Sequence, residues 1–226
     1  MVYTLEEDKT QFPRSYIKFP ILYHKFSLAE DVMGEIFRYI KKNCFKRTIL
    51  LDIGCGTGKY TIQLSSFFKT IIGIDPSRPA LELAQNIANK RKIKNVIFIE
   101  GRGEAIPLPS KSVDAILLTW VTIDPNIIFK EMKRVLRKGG IIIRISPHVK
   151  DELTSLFPNF DIKPIEAKNN WFKKMGFKSE IKEIIIKFKS ENEKCKIMKK
   201  VIGVNRKVFK NRIKHSILIQ TFYKNE

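Results

Sequence analysis

The sequence of 226 residues has little of what several common architectures need. Its three cysteines, Cys44, Cys55 and Cys195, are far apart and form no CxxC pair, so neither a disulfide framework nor a structural zinc site is supported. The three histidines, His24, His148 and His215, are equally scattered, and no metal is expected. Apolar runs such as "IIGI" and "AILLTWV" fall well short of the roughly 20 residues a membrane helix needs. The opening "MVYTLEEDKTQFPRSY" is acidic and polar where a signal peptide would be basic and then apolar, so the expectation is a cytoplasmic protein with no membrane partner.

Acidic residues are also scarce. The chain carries 43 Lys or Arg against 23 Asp or Glu, a formal charge of +20, which draws a protein toward polyanions unless the charge is spread evenly. It is not spread evenly: Lys187 to Lys214 holds 11 Lys or Arg against 2 Glu. Such a run reads either as the solvated side of an amphipathic helix or as a face for RNA. With 43% apolar residues there is enough material for one domain with a sizeable core, and no linker divides the chain.

What is present is a regular alternation. "TILLDI" (48–53), "TIIGI" (70–74), "NVIFI" (95–99), "VDAILLT" (113–119) and "GIIIRI" (140–145) are short and rich in Ile and Val, as strands buried on both faces are. Helical spacing separates them at 60–68, 79–90 and 127–137, with the Gly139-Gly140 turn leading into the fifth strand. This pattern predicts a doubly wound α/β fold with a parallel sheet. A short helix ending at Gly176, the strand-like "SEIKEIIIKFK", a basic helix from Glu193 to about Phe209 and a last strand "HSILIQTFY" follow.

In such a sheet the first strand-to-helix turn lies where ligands bind, and here it reads "LLDIGCGTGKYT" (50–61). A nucleoside-triphosphate loop needs glycine five residues before Gly58, where Gly54 is one residue late, and Ser or Thr for magnesium where Tyr60 stands, so it fails twice. A dinucleotide turn meets Lys59 or Thr61 where its third glycine belongs. What remains is Asp52-x-Gly54-x-Gly56-x-Gly58. This resembles the first motif of the class I S-adenosylmethionine-dependent methyltransferases. Lys59 then reads as a surface residue on the opening turn of a helix.

Further motifs match in order: "GIDPSRPALELA", "FIEGRGEAIPLPSKSVDAILLT" and "DPNIIFKEMKRVLRKGG". Together they resemble the type 11 methyltransferases, which include ubiquinone and menaquinone biosynthesis enzymes, over about residues 45–146. The resemblance implies a seven-stranded, mostly parallel, Rossmann-like sheet with an antiparallel last strand. It implies an N-terminal cap over residues 1–30 and a single domain over 31–226, with a basic helical insertion at about 190–214. It implies S-adenosyl-L-methionine as cofactor, held by Asp52, Gly54, Cys55, Gly56 and Gly58, by Asp75 and Pro76 at the ribose, by Gly103 and Glu104 near the adenine, and by Thr119. Where the family has an acid for the adenine amino group this chain has Arg102, which only donates hydrogen bonds.

The acceptor side carries no motif, and no catalytic residue is assigned. The histidine pair common after the fourth strand is replaced by "LLTWVTIDP", with Thr119 and Trp120 at the strand end. Tyr16, Tyr23 and His24 lie in the segment that caps the site in this family. A small-molecule acceptor is expected, with a stretch of about 30 residues between the last two strands as a lid. RNA bound through Lys187–Lys214 is the alternative, and a non-catalytic binding subunit is a third reading.

Overall fold

The Ile- and Val-rich runs form the predicted sheet. The structure is a computed structural model that describes residues 15–44, 48–121, 123–156, 161–204 and 211–225. Three helices, α1 (Ser15–Lys18), α2 (Pro20–Ala29) and α3 (Glu35–Asn43), precede β1 (Ile49–Ile53). Then come α4 (Lys59–Gln63), β2 (Thr70–Asp75), α5 (Arg78–Lys90), β3 (Val96–Glu100), β4 (Val113–Thr119), α6 (Pro125–Val135) and β5 (Leu136–Pro147). The chain continues through α7 (Lys163–Lys174), β6 (Lys178–Lys187), α8 (Glu191–Ile197) with a π turn (Met198–Ile202), and β7 (Arg212–Tyr223).

The strands lie in the order β3-β2-β1-β4-β5-β7-β6. β1 pairs in parallel with both β2 and β4, while β7 runs antiparallel to β5 and β6, as expected for the last strand. The chain moves outward from β1 to β3 and then returns to lay β4 on the other side of β1. This reversal opens a crevice beyond the carboxyl ends of β1 and β4, where doubly wound folds bind ligands.

Strand side chains alternate between two cores. Leu50, Ile71, Leu117, Ile143, Ile217 and Ile219 pack on one face with Ile36 and Ile40 of α3. Leu51, Ile53, Ile116 and Ile142 pack on the other with Met132 of α6 and Phe172 of α7. Each fully buried side chain of this kind contributes about 1.5–3 kcal/mol. A third cluster joins Phe26 and Ala29 of α2 to Ile186, Ile213, Ile197, Met198 and Ile202, which ties the N-terminal segment to the amino end of β7 and to the basic helix.

Some boundaries differ from expectation. The helix before β5 stops at Val135 rather than Arg137, because its last carbonyls are taken by neighbours: Lys111 N donates to Arg134 O at 2.9 Å and Ser112 N to Val135 O at 2.8 Å. Leu136 is already extended and pairs with Val113, and the glycines form a bulge before Ile141 pairs with Ala115. The helix expected over 60–68 closes after five residues, at Gln63. The basic helix ends at Ile202, where Gly203 turns with φ 79°, and Arg212 already pairs with Lys187 of β6. Residues 205–210 of the expected insertion lie outside the described residues.

Candidate active site at the glycine turn

The turn after β1 is built by three glycines with positive φ: Gly54 at 69°, Gly56 at 52° and Gly58 at 77°. Any other L-residue there costs roughly 1–2 kcal/mol of backbone strain. Gly58 is constrained a second time, since a Cβ on it would stand 2.9 Å from the Ala84 Cβ of α5. Backbone bonds pin the turn to β2, with Gly54 N and Cys55 N both donating to Ile74 O at 2.8 and 3.1 Å. The Cys55 sulfur fills the space a Cβ on Gly73 would take, so its side chain points into the sheet.

Asp75 at the end of β2 joins the turn to α5. Its Oδ2 accepts from Gly56 N at 2.9 Å and its Oδ1 from Ser77 N at 2.8 Å. Burial raises its pKa and these two amides oppose the rise. Pro76 follows it at the surface. Asp52, 1% exposed, points up from β1, and its Oδ2 accepts from the Thr61 hydroxyl at 2.6 Å. Burial pushes the Asp52 carboxyl up to about 7, the Thr61 bond opposes this, and the neighbouring Asp75 adds to it. Three buried polar atoms here have no partner among the described residues: Asp52 Oδ1, Tyr60 Oη and Trp120 Nε1.

The N-terminal segment lies over the turn. The Tyr23 ring is 3.8 Å from the point a Gly56 Cβ would occupy, and His24 Nδ1 is 2.8 Å from Thr57 Oγ1. Burial lowers the His24 pKa to about 4, and Arg91 and Lys59 lower it further. Lys59 is not the surface residue its helix-start position suggested. It is buried, donates to the Glu30 carbonyl at 2.9 Å and lies over the Tyr60 ring. The reason is the close packing of α2, whose C-terminal end covers the start of α4. Tyr16 lies in α1, with its side chain outside what the structure describes.

The remaining sequence-selected positions lie along the same edge of the sheet. Gly103 is buried, and a Cβ on it would meet Ile123, Ile128 and Ile53 at about 3 Å. Arg102 and Glu104 beside it are exposed. Thr119 ends β4 opposite Ile145 of β5. After it, Trp120 adopts φ 62°, a rare backbone state for a bulky residue, and Val121 places its Cγ2 2.6 Å from the position of a Gly54 Cβ.

Sequence reasoning missed Thr61, Glu30, Val121 and the pair Asp151–His215. His215 Nδ1 is 2.7 Å from Asp151 Oδ2, and its ring centroid is 5.4 Å from that of Trp120. Thr61 lies inside the glycine motif and was readable as a polar residue facing Asp52. The other partners are brought together only by the fold. Among the described residues no group of three or more His, Cys, Asp or Glu is placed to hold a metal ion, and no helix is long and apolar enough to cross a membrane.

Comparison with known proteins agrees with this geometry. Residues 51–144 match the family model described as "Methyltransferase domain". The chain is 34% identical over 116 residues to "Probable S-adenosylmethionine-dependent methyltransferase CRG1" of Saccharomyces cerevisiae, covering 49% of this chain and 38% of that protein. It is 33% identical over 102 residues to the demethylmenaquinone methyltransferase of Lactococcus lactis, covering 42% of this chain and 40% of that protein. The chain thus spans about two fifths of the length of the curated relatives it matches. The crystal structure of YcgJ from Bacillus subtilis superposes with a TM-score of 0.59 at 17% identity, covering 90% of this chain and 99% of the other. The fold and family resemblance read from the sequence are both borne out.

Proposed function

We propose that this chain, whose residues 51–144 match the methyltransferase-domain family model, binds S-adenosyl-L-methionine at the glycine turn and transfers its methyl group to a small-molecule acceptor by in-line displacement. The observation that carries the reading is the Asp52 carboxylate. One of its oxygens is buried with no partner beside a backbone turn that only glycine fits. A buried carboxylate without a counter-charge is costly, and a cationic ligand is what it lacks. The methionine end of the cofactor carries an ammonium and a sulfonium, so the residues present fit it.

The other contacts follow from lone-pair accounting. A carboxylate offers about four acceptor positions, and Asp75 uses two on Gly56 N and Ser77 N. The remaining two suit a pair of ribose hydroxyls beside Pro76. Gly103 lets the chain pass close to the adenine edge, with Glu104 rather than Arg102 as its acceptor. Gly54, Cys55, Gly56 and Gly58 contribute backbone, and Thr119 closes the β4 side. Bound there, the cofactor supplies an electrophilic methyl carbon. The protein's part is to hold the acceptor in line with it, an effect of order 7–11 kcal/mol in favourable cases. Tyr23 and His24 cap the site and exclude water.

Calorimetry with S-adenosyl-L-methionine tests this directly. Binding in the micromolar range, lost in Asp75→Ala, is expected; no heat at high micromolar cofactor would leave a non-catalytic binding subunit. One observation favours RNA as an alternative acceptor. Lys187, Lys189, Lys196, Lys199, Lys200, Arg212 and Lys214 are all exposed around the basic helix and the adjoining strand ends. The same helix buries Ile197 and Met198 in the third core cluster, which is how an ordinary amphipathic helix behaves, and the small-molecule reading leads.

A further inference from the structure

Beside the carboxyl ends of β4 and β5 lies an array that the cofactor reading does not use. Glu30, at the end of α2, is 8% exposed, and its carboxylate makes no hydrogen bond among the described residues; the Lys59 ammonium bonds its backbone carbonyl instead. Glu30 lies within electrostatic reach of both Lys59 and His215. His215, 1% exposed, stands at the amino end of β7, the same edge of the sheet as the carboxyl end of β5. Trp120 packs against the His215 ring at a tilt of 35°, and its buried Nε1 donor has no acceptor. A bulky residue held at positive φ, with an unused donor, is the kind of strain that functional sites retain.

Asp151 sets the state of the imidazole. Burial would raise its pKa, but His215 and the amides of Thr154 and Ser216 hold it below the usual carboxylate range. An ionised Asp151 only accepts, so the His215 Nδ1 it faces at 2.7 Å is the donor of that pair, and Nε2 is the ring nitrogen left to face the array. No group among the described residues bonds Nε2.

The ionisable groups around the array are mostly acids, which a cation would hold in their carboxylate form. Glu30, Asp31, Asp52 and Asp75 are all buried, Asp151 is half-buried, and Lys59 is the buried cation facing them. Asp31 is occupied in capping α3 through Glu35 N and Ile36 N. His24, its pKa pushed down by burial, adds no positive charge near neutrality. A phenolate or carboxylate would be repelled here and an ammonium drawn in.

We propose that Glu30, His215 and Trp120 form the acceptor site, that the acceptor is an amine, and that His215, held by Asp151, takes the proton its ammonium must lose. The inference rests on the cofactor reading above. At neutral pH an alkylamine is protonated and has no free electron pair. Proton transfer from the ammonium to His215 Nε2 frees that pair. The nitrogen then forms its bond to the methyl carbon as the carbon–sulfur bond breaks, and the electron pair of that bond stays on sulfur. The product is an N-methylammonium, and His215 returns its proton to solvent.

The test uses the full chain saturated with S-adenosylhomocysteine, titrated by calorimetry with benzylamine, benzyl alcohol and benzoate, probes of one shape and different charge. Benzylamine is expected to bind at least tenfold more tightly than benzyl alcohol, with benzoate weakest, and to move the His215 ring resonances in NMR. Glu30→Gln, a conservative change, brings benzylamine and benzyl alcohol within threefold of each other. Asp151→Asn weakens benzylamine binding and displaces the His215 ring resonances, whereas a merely structural Asp151 would leave the preference for benzylamine over benzyl alcohol unchanged. Equal binding of the three probes, no benzylamine binding to protein that has taken up S-adenosylhomocysteine, or a preference that survives Glu30→Gln would overturn the proposal alone. Failure to take up S-adenosylhomocysteine would overturn the cofactor reading and this one with it.

Discussion

Thr61 donates its hydroxyl to one oxygen of Asp52 at 2.6 Å and leaves the other oxygen buried and bare. This half-satisfied carboxylate makes the empty protein sensitive to pH. With a pKa near 7 when folded and near 4 when unfolded, Asp52 favours folding most when protonated. Its contribution is complete below the unfolded value and is lost as pH rises through about 7. Asp75 and Glu30, also raised by burial, act in the same direction. Melting temperature of the cofactor-free protein should therefore fall between pH 5 and 8, and Asp52→Asn should flatten that fall.

Cofactor affinity should show the opposite trend. A cationic ligand selects the carboxylate form of Asp52, so affinity rises with pH through about 7 and binding at pH 7 releases about half a proton. Calorimetry in buffers of different ionisation enthalpy measures that proton directly. Thr61→Val removes the bond that lowers the Asp52 pKa and should move the midpoint upward. An affinity independent of pH from 6 to 8 would place the cofactor's positive end away from Asp52.

Gly54 carries both a positive φ and a contact with Val121, and these two causes can be separated. Gly54→Ala should destabilise the protein by about 1–2 kcal/mol from backbone strain alone. A further loss arises because its methyl would stand 2.6 Å from Val121 Cγ2. Val121→Ala in the Gly54→Ala background should recover the second part and leave the first. Urea denaturation of the two single variants and the double variant gives the coupling energy.

The glycine turn and Asp75 were legible in the sequence because their signals are local: spacing within one turn, and an acid at the end of the next strand. The sheet was legible for a related reason, since strands buried on both faces must be near-continuous Ile and Val, as "TILLDI" and "TIIGI" are. Lys59 was not legible. A lysine opening a helix after glycine reads as solvated, and only the packing of α2, some 30 residues upstream, buries it. Asp151 and His215 lie 64 residues apart on different elements, and no spacing rule links them. The end of α6 was misread because its stop comes from the amides of Lys111 and Ser112, not from the helix itself.

Lys59 should be what fastens the N-terminal segment over the turn. Its ammonium is buried, its pKa is lowered by that burial against the pull of Glu30 and Asp31, and its direct bond is to the Glu30 carbonyl. Lys59→Met keeps the length of the side chain but removes that bond and a buried cation facing Glu30 and Asp31. A loss of about 1–3 kcal/mol is expected, the range for a charge-assisted hydrogen bond. The loss should be local. Amide exchange over α2 should quicken while that of β1 and β4 holds, and the same rates in α2 before and after substitution would mean the segment is held by Phe26 and Ala29 alone.

Salt separates the two acceptor classes. The charged side chains of the proposed small-molecule site, Asp52, Asp75 and Glu30, are buried and so poorly screened, and cofactor affinity should change less than about threefold between 50 and 300 mM salt. An RNA held by Lys187, Lys189, Lys196, Lys199, Lys200 and Arg212 would behave differently, because each phosphate contact releases counterions. With six such contacts, affinity falls about a thousandfold between 50 and 200 mM salt. We expect bulk tRNA to associate weakly at low salt, to be released by 200 mM, and to receive no methyl group from radiolabelled cofactor. Lys199→Ala with Lys200→Ala should reduce that association and leave cofactor binding intact. Labelled tRNA at 200 mM salt, lost in this double variant, would instead make the basic helix the acceptor-binding face and exclude the small-molecule reading.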